Sequence, residues 1–122
     1  MSQLLLSGLR ILLVEDDPII ALDIAETLTQ AGASVIGPAH RVEAALSLIE
    51  SEALDVAVLD YRLEAETSLP AAARLAEKKV PFLFYTSSRG EPERVHGDVP
   101  ILDKPTRPER LLAAIRALVD QR

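Results

Sequence analysis

The run Asp55-Val-Ala-Val-Leu-Asp60 constrains the fold of this chain more than any other stretch. It is too short for a free-standing helix, and its apolar residues occupy consecutive rather than alternate positions. Consecutive apolar residues suit a strand that is covered on both faces, as the strands of a parallel sheet are. The run therefore predicts a central strand of an α/β sheet with helices on either side. Ligands bind such sheets beyond the carboxyl ends of the strands, which makes Asp60 a candidate site residue.

The rest of the chain alternates between short apolar runs and segments with apolar residues at helical spacing. Further strands are predicted at Arg10–Val14, Ser34–Ala39, Pro81–Tyr85 and Ile101–Leu102. Helices are predicted at 18–31, 42–52 and 70–79, and a last one carries the apolar stripe from Leu111 to Val119. Right-handed crossovers would arrange these elements as an open, doubly wound, five-stranded parallel sheet.

Side chains that suit helix starts precede two of these helices. Asp17 can cap the first helix, and Pro18 suits its first turn. Thr106-Arg-Pro-Glu109 has the spacing of a capping box for the last helix. Both helices are therefore expected to begin close to these residues.

Three segments give weaker signals. Met1–Gly8 is interpreted as an N-terminal tail, which places the domain at residues 9–122, although its Leu4-Leu5-Leu6 run could either extend the first strand or pack loosely. Tyr61–Ser68 is predicted to be a polar connection. Thr86–Pro100 contains helix breakers at four places, so the fourth helix of the fold is predicted to be short or irregular.

Composition limits the class of protein. A chain of 122 residues with 48% hydrophobic residues suits one compact domain. With no cysteine, disulfides and thiolate metal sites are excluded, and a reducing cytoplasm is the expected location. A net charge of −6 argues against direct nucleic-acid binding. The apolar stretches are shorter than the roughly 20 residues of a membrane helix, so neither membrane insertion nor a signal peptide is predicted.

Polar residues follow successive strands of the predicted sheet. Glu15 and Asp16 come after the first strand, Asp60 ends the third, Thr86 follows the fourth and Lys104 follows the fifth. In a flavodoxin-like strand order, 2-1-3-4-5, these residues share one edge of the sheet. They lie beside the crevice between strands one and three, where the strand order reverses. The sequence therefore predicts a site with three carboxylates, one hydroxyl and one amine.

Carboxylates held close together repel one another unless a cation is present. Magnesium suits this site because it prefers oxygen ligands and can bridge a carboxylate and a phosphate oxygen. Asp60 could then attack phosphorus, while the metal and Lys104 balance charge on the transferring oxygens and Thr86 donates a hydrogen bond. The predicted product is an aspartyl phosphate.

With these residues in this order, the chain resembles a response-regulator receiver domain (CheY-like) of two-component signal transduction. The matching motifs are Val14-Glu15-Asp16-Asp17, Leu59-Asp60, Tyr85-Thr86-Ser87 and Lys104-Pro105. The resemblance implies that Asp60 is the phosphoacceptor and that Asp16, Glu15, Asp60 and the backbone carbonyl of Arg62 hold Mg²⁺, with Mn²⁺ as an alternative. It also implies a cis Lys104–Pro105 peptide bond.

The same resemblance implies the partners. A histidine kinase or a phosphotransfer protein would supply the phosphoryl group, and a downstream protein that the sequence does not identify would receive the signal. The expected protein is a single-domain response regulator, since the chain ends after its last helix. It is not expected to be a true enzyme, although phosphorylation would be self-catalysed and followed by slow autodephosphorylation.

Some positions depart from the family pattern. Ile101 stands where the family has a switching aromatic residue, and the loop Arg62-Leu63-Glu64-Ala65-Glu66 lacks the usual proline. A pseudo-receiver that binds partners without phosphorylation is therefore an alternative. An aspartate-nucleophile phosphatase is a weaker one, because Arg62 replaces the second aspartate of that motif. His40 and His96 are interpreted as surface residues.

Overall fold

The structure is a computed structural model that describes residues 4–87 and 98–121. In chain order its elements are β1 (Arg10–Val14), α1 (Pro18–Gln30), β2 (Ser34–Ala39), α2 (Val42–Ser51), β3 (Val56–Leu59), β4 (Arg62–Leu63), β5 (Glu66–Thr67), α3 (Leu69–Glu77), β6 (Phe82–Thr86), β7 (Ile101–Asp103) and a C-terminal helix (Pro108–Asp120). Apart from the fourth helix, the predicted strands and helices are present within about two residues of their expected ends.

Five of the strands form one parallel sheet in the order β2-β1-β3-β6-β7. Counted by their own sequence in the chain, these strands follow the predicted order 2-1-3-4-5. The chain crosses to one side of β1 to form β2 and to the other side to form β3. The crevice that this reversal creates lies at the carboxyl ends of β1 and β3.

The consecutive apolar residues of β1 and β3 are buried on both faces of the sheet, as predicted. The side chains of Val56, Ala57, Val58 and Leu59 are at most 1% exposed. Val56 and Val58 join a core cluster with α1 and the C-terminal helix, while Ala57 and Leu59 join a second cluster with α2 and α3. Burial of each such valine or leucine side chain stabilises the fold by about 1.5–3 kcal/mol.

The two predicted helix caps have different outcomes. Asp17 caps α1 as expected, because its Oδ1 accepts hydrogen bonds from Ile19 N at 2.9 Å and Ile20 N at 3.2 Å. The capping box at Thr106–Glu109 is wrong. The C-terminal helix has Arg107 at its N-cap, without a side-chain cap. Thr106 is instead held by its main-chain N–H, which donates to Tyr85 Oη at 3.1 Å.

The polar connection predicted at Tyr61–Ser68 contains a two-stranded antiparallel ribbon, which the sequence did not predict. Arg62 pairs with Thr67 and Leu63 with Glu66, and the turn lies at Glu64 and Ala65. Leu63 is 1% exposed and packs into the second core cluster. This burial holds the ribbon against the body of the domain.

The segment before Leu9, predicted as a tail, contributes to the core in its described part. Leu6 is fully buried, and its N–H donates to Ala31 O at 2.9 Å. Gly8 N donates to Gly32 O at 3.2 Å. Gly32 has φ +97°, and a Cβ there would lie 2.9 Å from the Leu4 side chain, so the docked segment requires glycine at this position.

The peptide bonds Gly37–Pro38 and Lys104–Pro105 are both cis, and the second matches the expectation from the sequence. The prediction of a short or irregular fourth helix falls mainly on residues 88–97, as does that of an exposed His96, and both therefore lie outside the described residues. Across 4–87 and 98–121, no helix is both long enough and apolar enough to cross a membrane.

Candidate functional site

The carboxyl ends of neighbouring strands bring the predicted site residues to one edge of the sheet. Glu15 and Asp16 follow β1, Asp60 follows β3, Thr86 is the last residue of β6 and Lys104 follows β7. The main chain continues the sheet pairing at this edge, with Asp60 N donating to Val14 O at 2.9 Å and Lys104 N donating to Thr86 O at 3.2 Å. The backbone therefore fixes where each side chain begins.

Lys104 lies between two carboxylates. Its Nζ donates to Asp60 Oδ2 at 2.9 Å and also to Glu15 Oε1. The side chains of Lys104, Glu15 and Asp60 are 13%, 2% and 10% exposed, respectively. Because charges paired away from water interact more strongly than those on the surface, this ammonium group is held in one place.

The pKa values of these groups reflect the balance between burial and charge. Burial raises the pKa of the Glu15 carboxyl and the charge of Asp60 adds to this, while hydrogen bonds from Lys104 and Asp17 N only partly oppose it. Burial acts to lower the pKa of Lys104, but its hydrogen bonds to Glu15 and Asp60 outweigh that effect and the pKa is raised. Burial therefore outweighs the pairing at Glu15, whereas the pairing outweighs burial at Lys104.

Glu15, Asp16 and Asp60 can together hold a cation. Each offers a carboxylate oxygen, and the three oxygens lie within 4.8 Å of one another. All three are hard ligands of the type that Mg²⁺ prefers. Within the described part of the chain, Asp16 and Asp60 each use one oxygen in a hydrogen bond to the protein, leaving the second oxygen of each for a metal. The residues therefore fit a magnesium ion.

Thr86 and Arg62 are the other two predicted site residues. Thr86 is fully buried, and its main-chain oxygen accepts the hydrogen bond from Lys104 N. Arg62 opens the ribbon two residues after Asp60 and has an exposed side chain. Ile101 is partly buried and pairs with Phe84 in the sheet, so the position of the expected family aromatic residue is occupied by a packed aliphatic side chain.

The ribbon makes two contacts that the sequence did not predict. Glu64 N donates to Asp16 Oδ2 at 2.7 Å, and Val42 N donates to Glu66 Oε2 at 3.0 Å. The first bond joins the ribbon to the acidic cluster, and the second satisfies an unpaired N–H at the start of α2. Neither has a signal in the sequence, because one uses a main-chain donor and the other a glutamate distant from the helix that it caps.

A cleft of about 420 Å³ lies between the ribbon and the start of α2. Its lining residues are Asp16, His40, Arg41, Leu63, Glu64, Ala65 and Glu66. His40 is exposed, as predicted, but its Nδ1 also lies 2.8 Å from Glu15 O. Since a carbonyl oxygen can only accept, Nδ1 carries the proton in this bond. The cleft provides an approach to Asp16 from solvent.

Comparison with known proteins gives a consistent result. Residues 11–116 match the family model of the response regulator receiver domain. The chain is 30% identical over 117 residues to the transcriptional regulatory protein PdtaR of Mycobacterium tuberculosis, covering 92% of this chain and 57% of PdtaR. It is 32% identical over 118 residues to TcrA of the same organism, covering 46% of TcrA. The chain thus spans about half the length of the curated relatives it matches.

Solved structures share the fold. The non-phosphorylated HemR receiver domain from Leptospira biflexa superposes with a TM-score of 0.80 at 30% identity, covering 92% of this chain and 94% of that domain. A response regulator receiver protein from Sinorhizobium medicae superposes with a TM-score of 0.82 at 26% identity, with the same two coverages of 92% and 94%.

Proposed function

This chain belongs to the response regulator receiver domain family of two-component signalling, and we propose that it accepts a phosphoryl group on the Asp60 carboxylate. The modified domain then signals through altered contacts with a protein partner. The family is one of signalling domains rather than classical enzymes. The proposed transfer is therefore a switching event and not a turnover reaction.

The observation that carries this proposal is the placement of Asp60 at the end of the central strand. Its carboxylate lies 2.9 Å from the Lys104 ammonium and within metal-ligand spacing of Glu15 and Asp16. An isolated carboxylate at a strand end is usually a turn residue. A nearly buried carboxylate with a fixed cation and two acidic neighbours has the parts that phosphoryl transfer needs.

In the proposed reaction, a carboxylate oxygen of Asp60 attacks phosphorus and forms an oxygen–phosphorus bond. The bond between phosphorus and the donor atom breaks, and the electron pair leaves with the donor. Lys104 is already held at Asp60 and can balance the charge on the transferring oxygens. The Thr86 hydroxyl is proposed to donate a hydrogen bond to a phosphoryl oxygen after transfer.

The metal in this proposal is Mg²⁺, with Mn²⁺ as a substitute. Glu15, Asp16 and Asp60 would hold it through carboxylate oxygens, together with the main-chain carbonyl of Arg62. When bound, the ion would supply positive charge to the phosphoryl oxygens and would help to hold the phosphorus atom for attack by Asp60. The close spacing of the three carboxylates supports this assignment, since a cation would relieve their mutual repulsion.

The proposed donor is a histidine kinase or a phosphotransfer protein, and the proposed receiver of the signal is a downstream protein. Because Ile101 replaces the family aromatic residue, the signal is expected to leave Asp60 without an aromatic rotamer change at that position. The fully buried Thr86 in the adjacent strand is the residue proposed to respond first to the new phosphoryl group.

The deciding experiment is incubation with a small phosphodonor and magnesium, followed by intact-mass measurement. The expected result is one phosphoryl adduct on the wild-type protein and none on Asp60→Asn. Asp55→Asn is a matched control, because Asp55 lies at the opposite end of the same strand and binds Arg10 N at 2.8 Å. An unmodified wild-type protein at millimolar donor and metal contradicts the proposal, and so does an adduct that persists in Asp60→Asn.

Magnesium binding can be tested without a donor. A ligand that binds the folded state stabilises it by about 2.7 kcal/mol at 100 times its Kd, so the wild-type Tm should rise with magnesium concentration. The rise should be much smaller in Asp60→Asn and intact in Asp55→Asn. A Tm that does not change across millimolar magnesium would count against the metal site.

A further inference from the structure

Tyr85 contacts the segment that carries Lys104, although it has no part in the proposed chemistry. It lies in β6 next to Thr86, pairs with Leu102 in β7 and is 8% exposed. Its body belongs to the first core cluster. Its hydroxyl oxygen accepts a hydrogen bond from Thr106 N at 3.1 Å. A buried aromatic body with a bonded hydroxyl is a rigid tether, because few torsions remain free to move it.

Tyr85 holds the main chain on the C-terminal side of Lys104, where the sheet pairing has ended. Before Pro105, the main chain is attached to β6 by the bond from Lys104 N to Thr86 O at 3.2 Å. Pro105 has no N–H and cannot extend this pairing. Thr106 N is the next available donor, and it binds the Tyr85 side chain. Lys104 is therefore held to β6 on both sides, once by main chain and once by Tyr85.

The Tyr85 ring also faces the ammonium group. Lys104 Nζ lies 5.9 Å from the ring centroid, near the outer limit for attraction between a cation and an aromatic face. The ring therefore limits where the lysine side chain can go but is not its main partner. The strong partners of Nζ are the carboxylates of Glu15 and Asp60, to which it donates hydrogen bonds.

We infer that Tyr85 is a positioning residue for the proposed phosphoryl transfer: its hydroxyl and ring hold the Lys104–Thr106 segment so that the ammonium stays at Asp60. This inference rests on the proposed function, because the position of Lys104 matters for rate only if Asp60 reacts. This role needs no contact between Tyr85 and the reacting atoms. Its effect passes through Lys104.

The test uses the full chain with three substitutions. Tyr85→Phe removes the hydroxyl and keeps the ring, while Tyr85→Leu removes both. Tyr61→Phe is the matched control, since Tyr61 is 5% exposed and keeps its edge contact with Phe84 without its hydroxyl. Tyr85→Phe should still fold, because Thr106 is partly exposed and water can accept the freed N–H.

Two quantities are measured: the rate of adduct formation at saturating magnesium, and the Kd of magnesium in the absence of a phosphodonor. The rate of adduct formation from a small phosphodonor should fall about 3- to 10-fold in Tyr85→Phe, the range expected for one neutral hydrogen bond, and further in Tyr85→Leu. The magnesium Kd, measured by calorimetry without donor, should stay within about twofold of wild type, since Lys104 is not a ligand. A merely structural role would lower stability without separating these two quantities.

A third measurement does not depend on phosphorylation. The Thr106 amide should exchange with solvent faster in Tyr85→Phe than in wild type, while its rate in Tyr61→Phe should not change. Unchanged exchange in Tyr85→Phe overturns the tether. A wild-type adduct rate in Tyr85→Phe, or a loss explained fully by weaker magnesium binding, overturns the positioning role. A wild-type protein that forms no adduct instead refutes the proposed function, and the positioning role with it.

Discussion

Removal of the Lys104 ammonium should destabilise the metal-free protein, because Lys104 is paired with two nearly buried carboxylates. We consider Lys104→Met, in which the methionine replaces most of the aliphatic stem and only the charge and its hydrogen bonds are lost. Glu15 and Asp60, at 2% and 10% side-chain exposure, would then face each other without a cation. Their mutual repulsion adds to the loss of the pairing.

The size of the loss follows from this burial. Removing one partner of a buried ion pair costs about 3–5 kcal/mol, whereas an exposed pair contributes about 0–1 kcal/mol. The Lys104 side chain is 13% exposed, and Glu15 can relieve part of the cost by taking a proton. The expected loss is therefore about 3 kcal/mol at pH 7, which corresponds to a urea midpoint lower by about 1–3 M.

The loss should also depend on pH in a defined direction. The folded-state pKa of Glu15 is raised, so its ionisation costs stability at neutral pH and this cost is relieved as pH falls. The hydrogen bond from Lys104 lowers that pKa, and removing it should raise the pKa further. Lys104 itself stays charged in wild type at these pH values, since its pKa is raised. The deficit of Lys104→Met should therefore shrink between pH 7 and pH 5.

Urea unfolding in the presence of a chelator measures this deficit at both pH values. Lys78→Met is the control, because Lys78 is exposed and donates to Ile49 O at 2.8 Å away from the acidic cluster. It should lose at most about 1 kcal/mol at either pH. A deficit in Lys104→Met below about 1 kcal/mol, or one equal at pH 5 and pH 7, would refute the argument that charge pairing holds this site together.

Two further predictions concern the segments that the sequence predicted as a tail and as a polar connection. Leu6→Ala should destabilise the protein by about 2–5 kcal/mol because Leu6 is fully buried, whereas Leu5→Ala, at 43% exposure, should lose less than about 1 kcal/mol. If thermal or urea unfolding shows that Leu6→Ala loses no more stability than Leu5→Ala, residues 4–8 do not contribute to the core as described. Glu66→Ala should cost about 0.5–2 kcal/mol, since it leaves Val42 N without its partner at the start of α2, and Glu66→Gln should recover part of this loss. No difference between Ala and Gln at position 66 would argue against the cap.

The sequence was most informative where apolar residues follow a regular pattern along the chain. The consecutive apolar residues of Val56–Leu59 indicated a strand covered on both faces. The alternation of strands and helices with right-handed crossovers indicated the doubly wound sheet, whose flavodoxin-like order the structure has. The edge position of Asp60 and Lys104 followed in turn, because the carboxyl ends of parallel strands coincide. The meeting of these residues thus depended on topology and not on any side-chain detail.

Features that depend on a single tertiary contact could not be predicted in this way. Each strand of the ribbon has two residues, which is too short for a periodic pattern. Leu6 sits in a leucine run that fits a tail and a docked segment equally well. Thr106 has the spacing of a helix cap, but its N–H is taken by Tyr85, a residue 21 positions earlier in the chain. The sequence near Thr106 gives no sign that a distant side chain will accept the hydrogen bond from its N–H.

The bond between the ribbon and Asp16 is made by the main chain of Glu64, while the side chains of Glu64 and Ala65 point outward as exposed groups. Every amino acid except proline carries this N–H donor. Substitutions at the ribbon tip can therefore accumulate over evolution without disturbing the acidic cluster. The side chains of this rim and the geometry of the acidic cluster beneath it are, for this domain, separable heritable traits.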